Sequence, residues 1–243
     1  MNLIERWCPP VLFEDVLSDK IIEELLYLEE HNSNKITYPG RSFGLDTSAA
    51  FDVLKNEGML SLLLDHKFKV SGGNFFRTEV PYRLHADTGT ELSTIQNLYR
   101  IIVIPLSFTI APGKEYHPEF NKLSIMNQRW YDRAAFFMRG EPEIEVEKKR
   151  KEYNQPITDY SNIFNLQPEP FPVERHEELY GHIKYENFEG MSELFVSRWQ
   201  PKDIITFDRS NIHTSTNFKN KANVIQKIGL TFFTEYEHDK PSS

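Results

Sequence analysis

Apolar residues recur at helical spacing over the first quarter of the chain. Ile21, Ile22, Leu25, Leu26 and Leu28 fall on one stripe behind Ser18, a side chain suited to cap a helix N-terminus. A second helical stretch follows the turn residues Gly40 and Gly44, with Phe51, Val53, Leu54 and Leu60 to Leu64 as its apolar positions, and Asn56-Glu57-Gly58 breaking it. From Phe68 the pattern changes. Lys69 to Ser71 leads into a Gly72-Gly73 turn, and then Asn74 to Val80, Tyr82 to Ala86 and Tyr99 to Phe108 read as short strands rich in aromatic and β-branched residues. Strand character returns at Leu194 to Trp199, Asp203 to Phe207 and Val224 to Tyr236.

Between the two strand blocks, residues 112–190 carry seven prolines and the charged run Glu141 to Glu152, and read as a long insertion of short helices and loops. The chain therefore divides into an N-terminal helical support (1–67), barrel strands (68–111 and 191–236) and an insertion or lid (112–190), all within one domain of 243 residues. Neither strand block alone closes a core, so the two must meet in a mainly β barrel or sandwich backed by the helices.

Composition narrows the function. Hydrophobic residues at 39% and charged residues at 26% match ordinary globular usage, which excludes a disordered or fibrous chain. A net charge of −8 leaves no broad basic surface, so duplex nucleic acid is not an expected partner. The lone cysteine, Cys8, permits neither an internal disulfide nor a thiolate zinc site. Met1 to Arg6 lacks the basic-then-apolar pattern of a signal peptide, and no stretch approaches the ~18 apolar residues of a membrane span. The expectation is a soluble, cytoplasmic protein with no membrane partner.

Three segments carry chemistry. In Tyr82 to Gly89, His85 and Asp87 are two apart, and on a strand they point to the same side. In Pro201 to Ser215, a strand and a polar turn end in His213. In Lys227 to Phe233, Lys227, Gly229 and Thr231 share one strand face, a cation, a space and a hydroxyl, while Ile228, Leu230 and Phe232 share the other and suit a layer under helices. Two imidazoles and a carboxylate on one side of a metal leave three coordination positions free, the facial arrangement of non-haem Fe(II) oxygenases. Two positions suit a bidentate 2-oxo acid and the third suits O₂. The far carboxylate of such an acid needs a cation, and Lys227 follows His213 by 14 residues (227 − 213), enough for a turn and a return strand. Lys219 and Lys221 compete for that role but sit in a polar loop.

This order, His-x-Asp, then a distal histidine, then a basic residue on the next strand, resembles the Fe(II)/2-oxoglutarate-dependent dioxygenase superfamily, in particular its phytanoyl-CoA and prolyl-hydroxylase-like branches. The likeness spans about residues 70 to 236. It implies a double-stranded β-helix (a jelly-roll, cupin-like barrel), His85, Asp87 and His213 as iron ligands, and Lys227 on the C5 carboxylate of 2-oxoglutarate. The presence of Asp87, where Gly or Ala would leave room for a halide, favours hydroxylation. The resemblance also places co-substrate and substrate contacts on the strand holding Asn74, Phe76 and Arg77. Thr231 and Asn74 are thus co-substrate candidates, and Arg77, Arg83 and Arg209 substrate candidates. Arg83 has a structural alternative, an ion pair with an acid such as Glu79; Arg209 has one in bracing the turn before His213.

The implied reaction is hydroxylation of a small metabolite with release of succinate and CO₂, using Fe(II), 2-oxoglutarate and O₂. A protein side chain, as in prolyl hydroxylation, is the second substrate class. A cupin-like module that binds metal without turnover is a reading of a different kind, and would not require Lys227 to face the metal pocket. Elsewhere, His117 and Glu119 form a His-x-Glu pair without a third partner, His176, His182 and His238 stand in charged, exposed-looking surroundings, and Trp130, Tyr131, Phe136 and Phe137 read as the core of the insertion.

Overall fold

The computed structural model describes residues 7–59, 68–89, 97–150 and 155–236. The expected helical residues Leu60 to Leu64, and His238, lie outside them. Two antiparallel sheets face each other. The larger has the order β1 (Val11–Phe13), β11 (Ile204–Asp208), β6 (Leu98–Ile110), β13 (Val224–Tyr236), β4 (Phe68–Thr78), β3 (Arg41–Gly44) and β2 (Lys35–Tyr38). The smaller runs β10 (Glu193–Arg198), β7 (Lys122–Arg129), β12 (Asn211–Ser215), β5 (His85–Ala86), β8 (Ala135–Phe137) and β9 (Gln155–Ile157), with β9 parallel to β8. Strands from the two blocks interleave as the separated motifs require: β4 pairs with β13, and β5 with β12.

Period-two alternation sorts the larger sheet's residues between two cores. On its outer face Ile102, Ile104, Leu230 and Phe232 pack under helices α1 (Asp19–Glu30) and α2 (Ser48–Asn56), against Leu25 and Leu54. On its inner face Ile101, Val103, Ile205 and Phe207 meet Leu123 and Ile125 of the smaller sheet. A third core lies on the far side of the smaller sheet, where α4 (Val173–Leu179) and the turn Tyr185–Phe188 cover Met126, Phe137 and Ile212. The helix α3 (Glu143–Lys149) caps Phe136 and Met138 through Val146.

The helical stripe behaves as its spacing predicts. The Ser18 hydroxyl accepts from the Ile21 amide at 3.3 Å, and Ile21, Ile22 and Leu25 are buried. Leu25→Ala should cost about 2–5 kcal/mol of stability, because a fully buried leucine leaves a cavity as well as lost transfer energy; a shift in the denaturation midpoint measures it.

Three expectations need correction. The helical block contains a β hairpin, β2–β3, whose Pro39-Gly40 turn places Gly40 at φ +71°; Ile36 and Tyr38 alternate with Lys35 and Thr37, but over a strand of only four residues. Gly72-Gly73 is not a turn but the interior of β4. A Cβ on Gly73 would come within 2.7 Å of the Thr231 carbonyl, so a close strand approach selects glycine there. The 112–190 segment is also not all loop and helix. It supplies β7, which pairs with both β10 and β12, together with β8 and β9. Its prolines fall largely between these strands and drew attention away from the apolar alternation within β7.

Candidate metal centre and its pocket

His85 and His213, 128 residues apart (213 − 85), are direct cross-strand partners on β5 and β12. Their ring centroids lie 4.1 Å apart. Asp87, two residues beyond His85, brings its Oδ2 to 3.5 Å from His213 Nε2 and 3.9 Å from His85 Nε2. One ligand atom from each of the three lies within 4.8 Å of the others, the one such cluster of metal-binding type among the described residues.

The tautomers follow from the hydrogen bonds. Nδ1 of His85 donates to the Arg83 carbonyl at 2.8 Å, and Nδ1 of His213 donates to the Asn211 carbonyl at 3.0 Å. A carbonyl can only accept, so each Nδ1 carries a proton and each Nε2 is left facing Asp87. Burial, reinforced by His213, pushes the His85 imidazole down to about 3, so it is neutral at physiological pH. Burial alone would raise Asp87, but the facing imidazoles of His85 and His213, with Arg209 behind them, hold it down at about 2. Two imidazole Nε2 atoms and an ionised carboxylate converging on one point suit a divalent first-row cation.

These groups line a pocket between the two sheets. The opposite wall comes from the inner faces of β4 and β13: Asn74, Phe76 and Thr78, and Lys227, Thr231 and Phe233. Register makes them a patch, since Lys227 stands opposite Thr78 and Thr231 opposite Asn74. Between them, a Cβ on Gly229 would reach Phe76 and Trp199 at 2.6 and 2.8 Å, so glycine lets both rings close over the wall. The Lys227 ammonium is buried over the rings of Trp199 (4.2 Å) and Phe218 (4.8 Å), and no carboxylate pairs with it among the described residues. Burial lowers its pKa well below that of an ordinary lysine. A desolvated cation without a counter-ion is costly, and it is the feature expected of a group awaiting an anion. Lys219 and Lys221, on the short helix α5 (Phe218–Lys221), are exposed as expected.

The three arginines assigned to substrate do not line this cavity. Arg77 alternates to the outer face of β4, where its guanidinium binds the buried Glu29 of α1 at 2.6 Å. Arg83 pairs with Glu141 at 2.6 Å rather than with Glu79. Arg209 does more than brace a turn: its Nε donates to the Asp87 carbonyl at 3.2 Å, while Nη1 reaches Ser71 and Thr234. Arg209 therefore positions Asp87. Arg209→Met should weaken divalent-metal binding by roughly 10- to 100-fold, as for other partners that orient a ligand, with metal titration as the measurement.

Other residues also fall differently from their sequence reading. His176 is buried, its Nε2 donating to the Ile183 carbonyl at 2.7 Å, and His182 donates to the Tyr82 carbonyl at 3.1 Å. The charged neighbours of both lie on the solvent side of the turn. His117 and Glu119 stay exposed as a pair. Burial and Asp208 push the Cys8 thiol up to about 12, which removes it as a nucleophile. Thr78, Tyr82 and Trp199 were missed as pocket residues; alternation from Asn74 through Phe76 would have found Thr78.

No protein-family model matches the chain, and no curated protein is detectably similar in sequence. Solved structures do resemble it. The non-heme alpha ketoglutarate dependent epimerase SnoN from nogalamycin biosynthesis is 9% identical, with 96% of this chain and 80% of that chain covered and a TM-score of 0.52. SnoN in complex with Fe3+, alpha ketoglutarate and nogalamycin RO gives 11%, 98%, 88% and 0.50. HygX from Streptomyces hygroscopicus, with nickel, 2-oxoglutarate and hygromycin B bound, gives 13%, 96%, 85% and 0.49. At these identities the likeness to SnoN establishes the fold, the double-stranded β-helix that the sequence resemblance implied. No helix among the described residues is long and apolar enough to cross a membrane.

Proposed function

We propose that this chain is a single-domain Fe(II)- and 2-oxoglutarate-dependent oxygenase that hydroxylates a small organic molecule. One observation carries the reading: a His85–Asp87–His213 cluster and an unpaired buried cation, Lys227, line the same cavity. The non-catalytic cupin reading does not call for that cation. SnoN and HygX, which share the fold or approach it, are described with small-molecule ligands, which supports a metabolite over a protein side chain.

His85, Asp87 and His213 would hold the metal and leave its remaining positions toward the cavity. Lys227 would take the far carboxylate of 2-oxoglutarate, with the hydroxyls of Thr231 and Thr78 and the Asn74 amide beside it. Bound iron, 2-oxoglutarate and O₂ together supply the oxidation: R–H becomes R–OH as 2-oxoglutarate and O₂ are converted to succinate and CO₂. Phe76, Trp199 and Phe218 wall the co-substrate from water. Tyr82, whose ring lies 4.8 Å from that of His85, and Phe43 also line the cavity and would frame the approach for a substrate. The parts of 112–190 outside the strands do not line this cavity; α4 and the turn Tyr185–Phe188 pack on the far side of the smaller sheet.

Mixing the protein with Fe(II) and 2-oxoglutarate without oxygen tests the reading. A visible charge-transfer band that neither addition gives alone, followed by succinate release in air, is the expected result. Iron binding with no response to 2-oxoglutarate would leave the cupin-like module standing instead.

A further inference from the structure

Beyond Tyr82 and Phe43 lies a second cavity that shares those two residues with the metal pocket. Its other walls are Tyr38, Arg41, Val80, Pro39, Phe136 and Lys149. Two cations line it, and among the described residues no carboxylate does, in a chain with eight more acidic than basic residues. The Arg41 guanidinium lies 4.0 Å over the Tyr82 ring, and Lys149 Nζ lies 4.9 Å over Phe136. Arg41 differs from five other arginines of the chain. Arg77, Arg83, Arg139, Arg175 and Arg209 each have a glutamate within 4.0 Å, whereas Arg41 has one hydrogen bond, Nη2 to the Pro81 carbonyl at 3.4 Å. Its Nε is shut off from solvent with no acceptor. A guanidinium with no carboxylate beside it among the described residues, lining a cavity, is suited to take an anion there through its outer N–H groups.

We infer that this outer cavity binds an anionic group, a carboxylate or a phosphate, carried by the substrate. The inference deepens the proposed function and rests on it for calling the occupant a substrate. Arg41 would grip the anion by its planar fork, and the flanking rings of Tyr38, Tyr82 and Phe136 would take an apolar or aromatic body. The geometry also sets a length. Arg41 stacks on Tyr82 and Tyr82 on His85, which puts the guanidinium within about 9 Å of the His85 ring. The substrate's acid group and its oxidised carbon are thus about one ring or a short chain apart. Arg41 is a specificity-determining residue on this account, and no ligand of the metal.

The test is calorimetric titration of phenyl phosphate, 3-phenylpropionate and the neutral 3-phenylpropionamide into protein saturated with Ni(II) and 2-oxoglutarate, and into protein with neither. Prior filling of the inner pocket keeps the probes from Lys227. The acids should bind at least tenfold more tightly than the amide, and the better of the two identifies the anion. Arg41→Met, which keeps the stem over Tyr82, should lose roughly 10- to 100-fold of acid affinity, Arg41→Lys less, and Arg150→Met on the exposed end of α3 nothing. Equal binding of acids and amide, no binding of either acid, or full acid affinity in Arg41→Met would overturn the inference. Failure of 2-oxoglutarate to bind would instead count against the oxygenase reading, and the acid preference in the unloaded protein would still judge the outer site.

Discussion

His213→Ala should abolish measurable Fe(II) binding while leaving a folded protein. The imidazole supplies one of three converging ligand atoms, and its Nδ1 bond to the Asn211 carbonyl fixes the direction of Nε2. Losing a partner that merely orients a ligand costs roughly 10- to 100-fold in metal affinity, so losing the ligand itself should cost more. The fold should survive because β12 keeps its pairing with β7 through Asn211, Thr214 and Ser215, bonds made by the backbone. The measurement is Fe(II) or Ni(II) titration beside a thermal melt. Wild-type affinity in this variant would mean that the cluster is a structural hydrogen-bonded group rather than a metal site.

The second large effect is expected at Lys227, where binding and stability should move in opposite directions. A charge-assisted hydrogen bond contributes about 1.5–3 kcal/mol, so Lys227→Met should weaken 2-oxoglutarate binding by about one to two orders of magnitude, with Fe(II) affinity nearly unchanged. The same change replaces a desolvated, unpaired ammonium by an apolar chain over Trp199 and Phe218, and should raise the melting temperature. Lys219→Met and Lys221→Met, on the exposed face of α5, should do neither. Protons report the same contact. Burial lowers the Lys227 pKa, so above the lowered value the free protein holds a neutral amine, and a bound carboxylate favours the ammonium. Binding at alkaline pH should then take up a proton, seen as a heat that depends on the buffer, and Lys227→Met should abolish the uptake. Without 2-oxoglutarate the sign is fixed as well: the unfolded chain holds more protons between the two pKa values, so this residue makes stability rise with pH there.

Much of this was legible in the order of residues. Period two in Lys227 to Phe233 separates a cavity face from a layer under helices, and Leu230 and Phe232 do lie against Leu25 and Leu54 while Lys227 and Thr231 line the cavity. The helical stripe behind Ser18 and the two-residue spacing of His85 and Asp87 belong to the same class, because side-chain direction along one element follows from local backbone geometry. What misled the reading was also local. Gly72-Gly73 looks like a turn until the Thr231 carbonyl arrives from β13, 158 residues later (231 − 73). Residues 112–190 look like an insertion until β7 is seen between β10 and β12.

Which side of a strand an arginine faces, and what waits for it there, is a different kind of question. Arg77 and Thr78 are neighbours in sequence, yet one binds Glu29 beneath the helices and the other lines the cavity. Arg83 and Arg209 find Glu141 and the Asp87 carbonyl, partners 58 and 122 residues away. Arg41, at the start of β3 in a short hairpin, stands over Tyr82 with an N–H unpaired. The periodicities, the ligand types and the cation that set the chemistry follow from the order of residues, since these depend on residue identity and neighbours along the chain. Tertiary structure alone decided which cations are already neutralised and which stay open to a ligand, because charge pairing depends on distances in space between residues the chain holds far apart.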